Sequence, residues 1–194
     1  MHRGYRQTLT AIGGRRPQEA SGGARRIITS MIVLGIDPGI ASTGYGVVSS
    51  EASRLRALTY GVIETAQSTV RELRLAEIHA RVCELLEVHA PEAMAIEELY
   101  FGANVRTAFA VGQARGVVLL ADGQRAVGSR SYTPQQVKAA VCGNGRAGKQ
   151  QVGAMAARLL GIDSGSMADH AADALAVGIC ELNRAPLAQA LAAG

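Results

Sequence analysis

Apolar and polar positions change period along this chain, and each change marks an element. Ile32-Val33-Leu34-Gly35-Ile36 is an unbroken apolar run that ends in Asp37, the pattern of a central strand buried on both faces. Thr43 to Ser50 and Leu55 to Glu64 are β-like segments separated by the polar turn around Glu51-Ala52-Ser53, so the first three segments predict an antiparallel meander. Within Thr69–His89, Leu75, Ile78, Val82, Leu85 and Leu86 line one face of a helix, and Pro91 ends it. Ala93-Met94-Ala95-Ile96 is a second short apolar run that closes on an acid, Glu97. Beyond it the pattern predicts a helix over Asn104–Ala121, a strand over Arg125–Tyr132 and a helix from Pro134 to Val141. A Gly-rich loop, CGNGRAGK, then leads to helices over Gln150–Leu160 and Met167–Leu182. Strands first, then strand and helix in alternation, define an α/β domain with a mixed sheet covered mainly by helices.

Composition limits the class. With 194 residues, 48% hydrophobic and 19% charged, and with no long apolar run, the chain supports one core of ordinary size. Collagen-like, disordered and membrane-spanning classes are excluded. Aromatics are only 4%, so the core is aliphatic and Ala-rich, and 23 glycines allow close backbone approaches. The net charge of +4 is misleading, because Arg3, Arg6, Arg15, Arg16, Arg25 and Arg26 face only Glu19 in the first thirty residues. The remainder is close to neutral, so a nucleic-acid surface there must be a local patch. Residues 1–30 are expected to be a disordered basic extension, with Met31 as the natural start. Residues 31–183 form the domain, and 184–194 are expected to be a flexible tail. Cys83, Cys142 and Cys180 are an odd set without a CxxC pair, which argues for a reducing, cytoplasmic compartment.

The chemistry lies with the acids. Asp37 and Glu97 each end a buried strand, and open α/β sheets place their sites at such ends. Asp37 alone reads equally well as a turn residue before Pro38-Gly39, whereas an acid at the end of a strand as apolar as Ala93–Ile96 needs a partner. In Met167–Ala176, His170 and Asp173 are i and i+3 neighbours flanked by alanines. Asp169 reads better as part of a capping box with Ser166. Two like charges about 4 Å apart repel by roughly 4 kcal/mol at an effective dielectric near 20, so clustered acids must take up protons or hold a cation. Oxygen-rich donors with one imidazole suit Mg²⁺ or Mn²⁺ rather than zinc.

Five motifs then occur in order: GIDPGIASTGYGVV at 35–48, AIEELYF at 95–101, GQARG at 112–116, TPQQVKAAVCGNGRAGKQQV at 133–152 and DHAADALA at 169–176. Together they resemble the RuvC Holliday-junction resolvases over about Met31 to Leu182. The resemblance implies a ribonuclease-H-like fold, a five-stranded mixed β-sheet flanked by α-helices. It implies a homodimer that nicks two opposed strands of four-way junction DNA, with two Mg²⁺ ions per site and Mn²⁺ able to substitute. It also implies a RuvA–RuvB branch-migration complex as partner, and no membrane. By position, Asp37, Glu97, His170 and Asp173 look like the catalytic, metal-holding set, His170 either as a ligand or as the group that positions water. Tyr100, with Phe101 beside it, resembles the family's base-stacking aromatic, and Lys138, Lys149 and, less strongly, Arg146 resemble its phosphate-contacting basic positions. Three other readings stand beside this one: a nuclease acting on structured RNA, a module that binds junctions without cutting, and the phosphate loop of an actin-like ATPase, suggested by Gly35-Ile36-Asp37-Pro38-Gly39.

Overall fold

The computed structural model describes residues 30–51, 54–98, 105–163, 165 and 167–192, with side chains for all of these except 105, 106 and 185–192. Residues 1–29 of the expected N-terminal extension, Tyr100, Phe101 and Ser166 therefore lie outside the described residues, while Ser30, expected to end that extension, opens the first strand. The elements in chain order are β1 (Ser30–Asp37), β2 (Ser42–Glu51), β3 (Arg54–Glu64), α1 (Arg71–His89), β4 (Ala93–Glu97), α2 (Val105–Arg125), β5 (Ser129–Tyr132), α3 (Pro134–Cys142), α4 (Lys149–Leu160) and α5 (Asp169–Ala192).

The strands form one five-stranded sheet in the order β3-β2-β1-β4-β5. The meander β1-β2-β3 is antiparallel, while β4 joins β1, and β5 joins β4, in parallel. This is the ribonuclease-H-like arrangement, and the mixed, helix-covered sheet is the architecture that the alternation of patterns predicts. Strand periodicity divides the side chains between two cores. Leu34, Ile36, Val47, Met94 and Ile96 pack against Ile78 and Val82 of α1 and Ala114 and Val118 of α2. Val33, Val48, Ala93 and Ala95 face the other way, onto α3, α4 and α5. Asp37 continues the second series from Val33 and Gly35, and Glu97 continues it from Ala93 and Ala95. Both acids thus lie on the α5 side of the sheet.

Helix α5 crosses that face at very short range. A Cβ on Gly35 would lie 2.1 Å from the carbonyl oxygen of Ala174, and one on Gly44 would lie 1.9 Å from that of His170. Only residues without a side chain permit this approach. Alanines 171, 172, 174 and 176 of α5, all buried, make the helix correspondingly slim. Lower on the helix, Glu181 is fully buried but answered by Arg130, 2.6 Å away, and by the hydroxyl of Tyr132, which donates to its second oxygen. This polar latch fixes α5 against β5.

Some boundaries differ from the expected ones. Helix α2 runs four residues beyond Ala121 to Arg125, and β5 starts only at Ser129. The turn between them uses Ala126 and Gly128, both at positive φ, with the Gly128 amide donating to Asp122. Helix α5 continues past Leu182 to Ala192, through most of the stretch expected to be a tail. The Ala- and Leu-rich sequence after Arg184 favours helix, although Pro186 withholds one backbone donor. Among the described residues, no helix is long and apolar enough to cross a membrane.

Candidate metal centre and its surroundings

Parallel pairing of β1 with β4 matches Ile36 to Ile96. Asp37 and Glu97, each one residue further on, therefore leave the sheet side by side at its carboxyl edge. Across the antiparallel pair, Asp37 lies opposite Gly44, the glycine on which the His170 carbonyl rests. The first turn of α5 is thereby set directly over Asp37, and the His170 Nδ1 lies 2.7 Å from the Asp37 Oδ2. One turn along α5, Asp173 joins them. Asp37, His170 and Asp173 each present a ligand atom, all within 4.8 Å of one another. The side chain of His170 is 49% exposed and that of Asp37 17%, so the cluster opens to solvent while its carboxylates are partly desolvated.

Glu97 stands beside this group rather than inside it. Burial above all, then the charges of Asp37 and Asp173, push its carboxyl up to about 7, and a hydrogen bond to the Asp37 carboxyl adds to the effect. Two carboxyls can share such a bond only if one carries a proton. Asp37 is also held above its ordinary range, by burial and by the Asp173 charge, against the opposing hydrogen bond and charge of His170. The site therefore has more negative charge than it can comfortably ionise. A divalent cation relieves that excess, and carboxylate oxygens with one imidazole match the preferences of Mg²⁺ and Mn²⁺.

A cleft of about 190 Å³ runs from Glu97 and Asp173 past Pro134 and Val137, with Lys138 and Lys149 on its walls. Lys149 Nζ lies 3.0 Å from Asp173 and 3.5 Å from Asp169. Burial lowers its pKa, but these two acids more than compensate, and the net direction is up. Asp169 is thus engaged by Lys149, and its expected capping partner, Ser166, lies outside the described residues. Lys138 sits half-buried on α3. Arg146 is exposed on the loop before α4 and does not line the cleft. The structure thus brings together Asp37, Glu97, His170, Asp173, Lys138 and Lys149, and leaves Arg146 at the margin.

Two arginines outside the expected set reach the same edge of the sheet. Arg74 of α1 donates to the carbonyl of Ile40 at 3.1 Å and to Thr65 Oγ1 at 2.8 Å, and so braces the turn that follows Asp37. Arg115 of α2 donates to the carbonyl of Glu97 at 3.0 Å and to Ser131 Oγ at 2.5 Å. Arg115 falls within GQARG, which marks the region in the sequence but says nothing of where the guanidinium goes.

A ribonuclease-H-like sheet whose neighbouring parallel strands bring Asp37 into an open acid–imidazole cluster and Glu97 to its side has the arrangement of a nuclease domain, and a family match places it in that class. A family profile described as crossover junction endodeoxyribonuclease RuvC matches residues 33–181. The chain is 49% identical to the RuvC crossover junction endodeoxyribonuclease of Moorella thermoacetica over 159 residues, 82% of this chain and 95% of that one. The structure of Thermus thermophilus RuvC superposes with a TM-score of 0.76 at 39% identity, covering 81% of this chain and 97% of that one. The same protein solved in complex with a Holliday junction substrate gives 0.75 at 37% identity, with 81% and 96% covered. This chain belongs to the RuvC family of crossover junction endodeoxyribonucleases.

Proposed function

We propose that the chain is a homodimeric, metal-dependent endonuclease that resolves four-way DNA junctions by two symmetric nicks, leaving 5′-phosphate and 3′-hydroxyl ends. The observation that carries this reading is the convergence of Asp37, His170 and Asp173 within 4.8 Å, with Glu97 alongside and driven toward protonation. Thermus thermophilus RuvC, solved with a Holliday junction substrate, supports the choice of DNA.

Asp37, Glu97, Asp173 and His170 would hold two ions, Mg²⁺ with Mn²⁺ as a substitute. When bound, such ions supply Lewis-acid stabilisation of the developing phosphate charge and a lowered pKa for the attacking water. The remaining work belongs to the protein. His170 Nδ1 is engaged by Asp37, which orients the ring and leaves Nε2 free for one of two tasks, to hold an ion or to take the proton of the attacking water. The water oxygen gives up a proton as it bonds to phosphorus in line with the departing 3′-oxygen, the P–O3′ bond breaks, and that oxygen takes up a proton from solvent water. Lys138 and Lys149 hold backbone phosphates in the cleft beside Glu97 and Asp173, and Arg146 adds charge at the rim. Tyr100 and Phe101 are proposed to meet bases near the junction centre, where a stacked base is worth about 1–3 kcal/mol.

Cutting two opposed strands requires two sites related by a two-fold axis. Helix α2 offers a face for that pairing: Phe109, Leu119 and Leu120 are exposed, and Gly112 and Gly116, with nothing near their missing Cβ, lie between them. These positions share one stripe, at the spacing by which two helices approach closely. The family resemblance adds the RuvA–RuvB complex as partner.

The test is a mobile four-way junction labelled on each strand, incubated with pure protein and Mg²⁺. Paired nicks in opposed strands, religatable without further processing and lost in EDTA, are expected. The Asp37→Asn variant should bind the junction as wild type does and cut it about 10²–10³-fold more slowly, in line with the loss of charge stabilisation at a reaction centre. Cleavage of structured RNA in preference to the junction, or junction binding with no metal-dependent cut, would favour the competing readings.

A further inference from the structure

We infer that Arg115 is a positioning residue for the metal centre, holding the main chain of Glu97 rather than its carboxyl group. The proposal rests on the reading of the site as a metal centre. Strand β4 has only five residues, so Glu97 has little strand after it to fix its direction. Three contacts hold this exit. Glu97 pairs with Tyr132 of β5, the Glu98 amide donates to the Tyr132 carbonyl at 2.8 Å, and Arg115 donates through Nη1 to the Glu97 carbonyl at 3.0 Å. The other guanidinium nitrogen, Nη2, reaches Ser131 Oγ on the neighbouring strand at 2.5 Å. One planar group therefore ties the last residue of β4 to β5 and both to α2.

Geometry gives this bridge its specificity. A guanidinium presents two nitrogens at a fixed separation, and the oxygens it spans here belong to adjacent strands, so it sets how the two exits lie relative to one another. An ammonium at the same place is a compact point donor on a flexible stem, with no fixed fork to set the separation of the two oxygens. Helix α2 is itself anchored to the sheet, with Ala114 and Val118 packed in one core with Met94 and Ile96, and at its far end Asp122 accepts from the Gly128 amide of the turn before β5 at 2.9 Å. The Arg115 contact thus joins two rigid bodies instead of hanging from a loose helix. Groups that orient a ligand without touching the ion typically change metal affinity by about 10–100-fold when removed.

The test uses the full chain without DNA and measures Mn²⁺ binding by the loss of the free-ion electron paramagnetic resonance signal. Arg115→Ala is expected to raise the Mn²⁺ dissociation constant by about 10-fold or more, and Arg115→Lys and Ser131→Ala by less. Amide hydrogen exchange at Glu98 should quicken in the same order without a matching change across α5. Arg125→Ala, which removes the exposed contact with Glu87 near the end of the same helix, should leave both readouts at wild-type values. Should Arg115→Ala fail to fold, the Lys and Ser131 variants carry the comparison. Mn²⁺ affinity within twofold of wild type in all three variants would overturn the proposal, as would weakened binding that tracks a uniform rise in exchange over the whole domain. Wild-type protein that binds no Mn²⁺ would instead overturn the metal reading, with Glu98 exchange still reporting whether the clamp exists.

Discussion

Replacing Gly44 with alanine perturbs the site without touching any ligand. The added Cβ would lie 1.9 Å from the His170 carbonyl oxygen and 2.4 Å from its carbon, whereas ordinary contact begins at 3.4 Å. The obstacle is backbone on both sides, so the first turn of α5 must move by about 1.5 Å or the β1–β2 edge must yield. Overpacking of this kind costs about 1–3 kcal/mol, or about 2–4 °C of melting temperature per kcal/mol in a domain of this size. His170 and Asp173 would move with the turn, and a misplacement near 1 Å lowers a reaction rate by about 10²-fold. Calorimetry, junction binding and single-turnover nicking on the same preparation measure the three quantities. The sign is diagnostic, because Gly→Ala at an unobstructed site stabilises by about 0.4–1 kcal/mol. Gly153 on α4, where a Cβ would meet nothing closer than 3.7 Å, provides that control. A Gly44→Ala protein that melts no lower than wild type and nicks at the wild-type rate would refute the claim that this glycine sets the height of α5 over Asp37.

Further expectations concern charge. In metal-free protein the raised carboxyls of Glu97 and Asp37 make the folded chain bind more protons than the unfolded one. Stability should therefore fall as pH rises from about 4.5 to about 7, and Glu97→Gln should flatten the slope of melting temperature over that window. Asp37→Asn should melt no lower than wild type in EDTA, since the loss of a charge facing Glu97 and Asp173 offsets the weaker bond to His170. Saturating Mg²⁺ should raise the wild-type melting point, by the equivalent of about 2.7 kcal/mol at a hundredfold excess over the dissociation constant, and should raise that of Asp37→Asn far less. Lys149→Ala should weaken junction binding and reduce the salt dependence of the binding constant by about one ion, as read from filter binding across a salt series.

The strands that carry the acids were legible because they are apolar runs too short for a helix that stop at a charge. The meander was legible from its polar turn, and α1 from its single apolar face. The pairing of β1 with β4 was not, since any order of strands satisfies the same periodicity; only contact across the sheet sets Asp37 beside Glu97. The ends of α2 and α5 ran past expectation because Gly123 and Ala-rich sequence do not by themselves stop a helix. Arg74 and Arg115 escaped notice for a different reason. Their partners are backbone carbonyls, which every residue has, so nothing in the sequence distinguishes an arginine that clamps a strand exit from one in solvent. The buried Glu181 likewise becomes explicable only once Arg130 and Tyr132 are seen to meet it. The alanines around His170 and Asp173 did predict close packing, but the glycines that receive them lie more than a hundred residues away in the chain.

Everything proposed for this chain depends on four side chains from three distant segments forming one cation-holding centre. Anomalous diffraction from crystals soaked in Mn²⁺ tests it most directly. A peak bounded by Asp37, Asp173, His170 and Glu97 is expected, and it should disappear in the Asp37→Asn variant. A soaked crystal with no peak there, or with its ordered Mn²⁺ elsewhere on the domain, would contradict it.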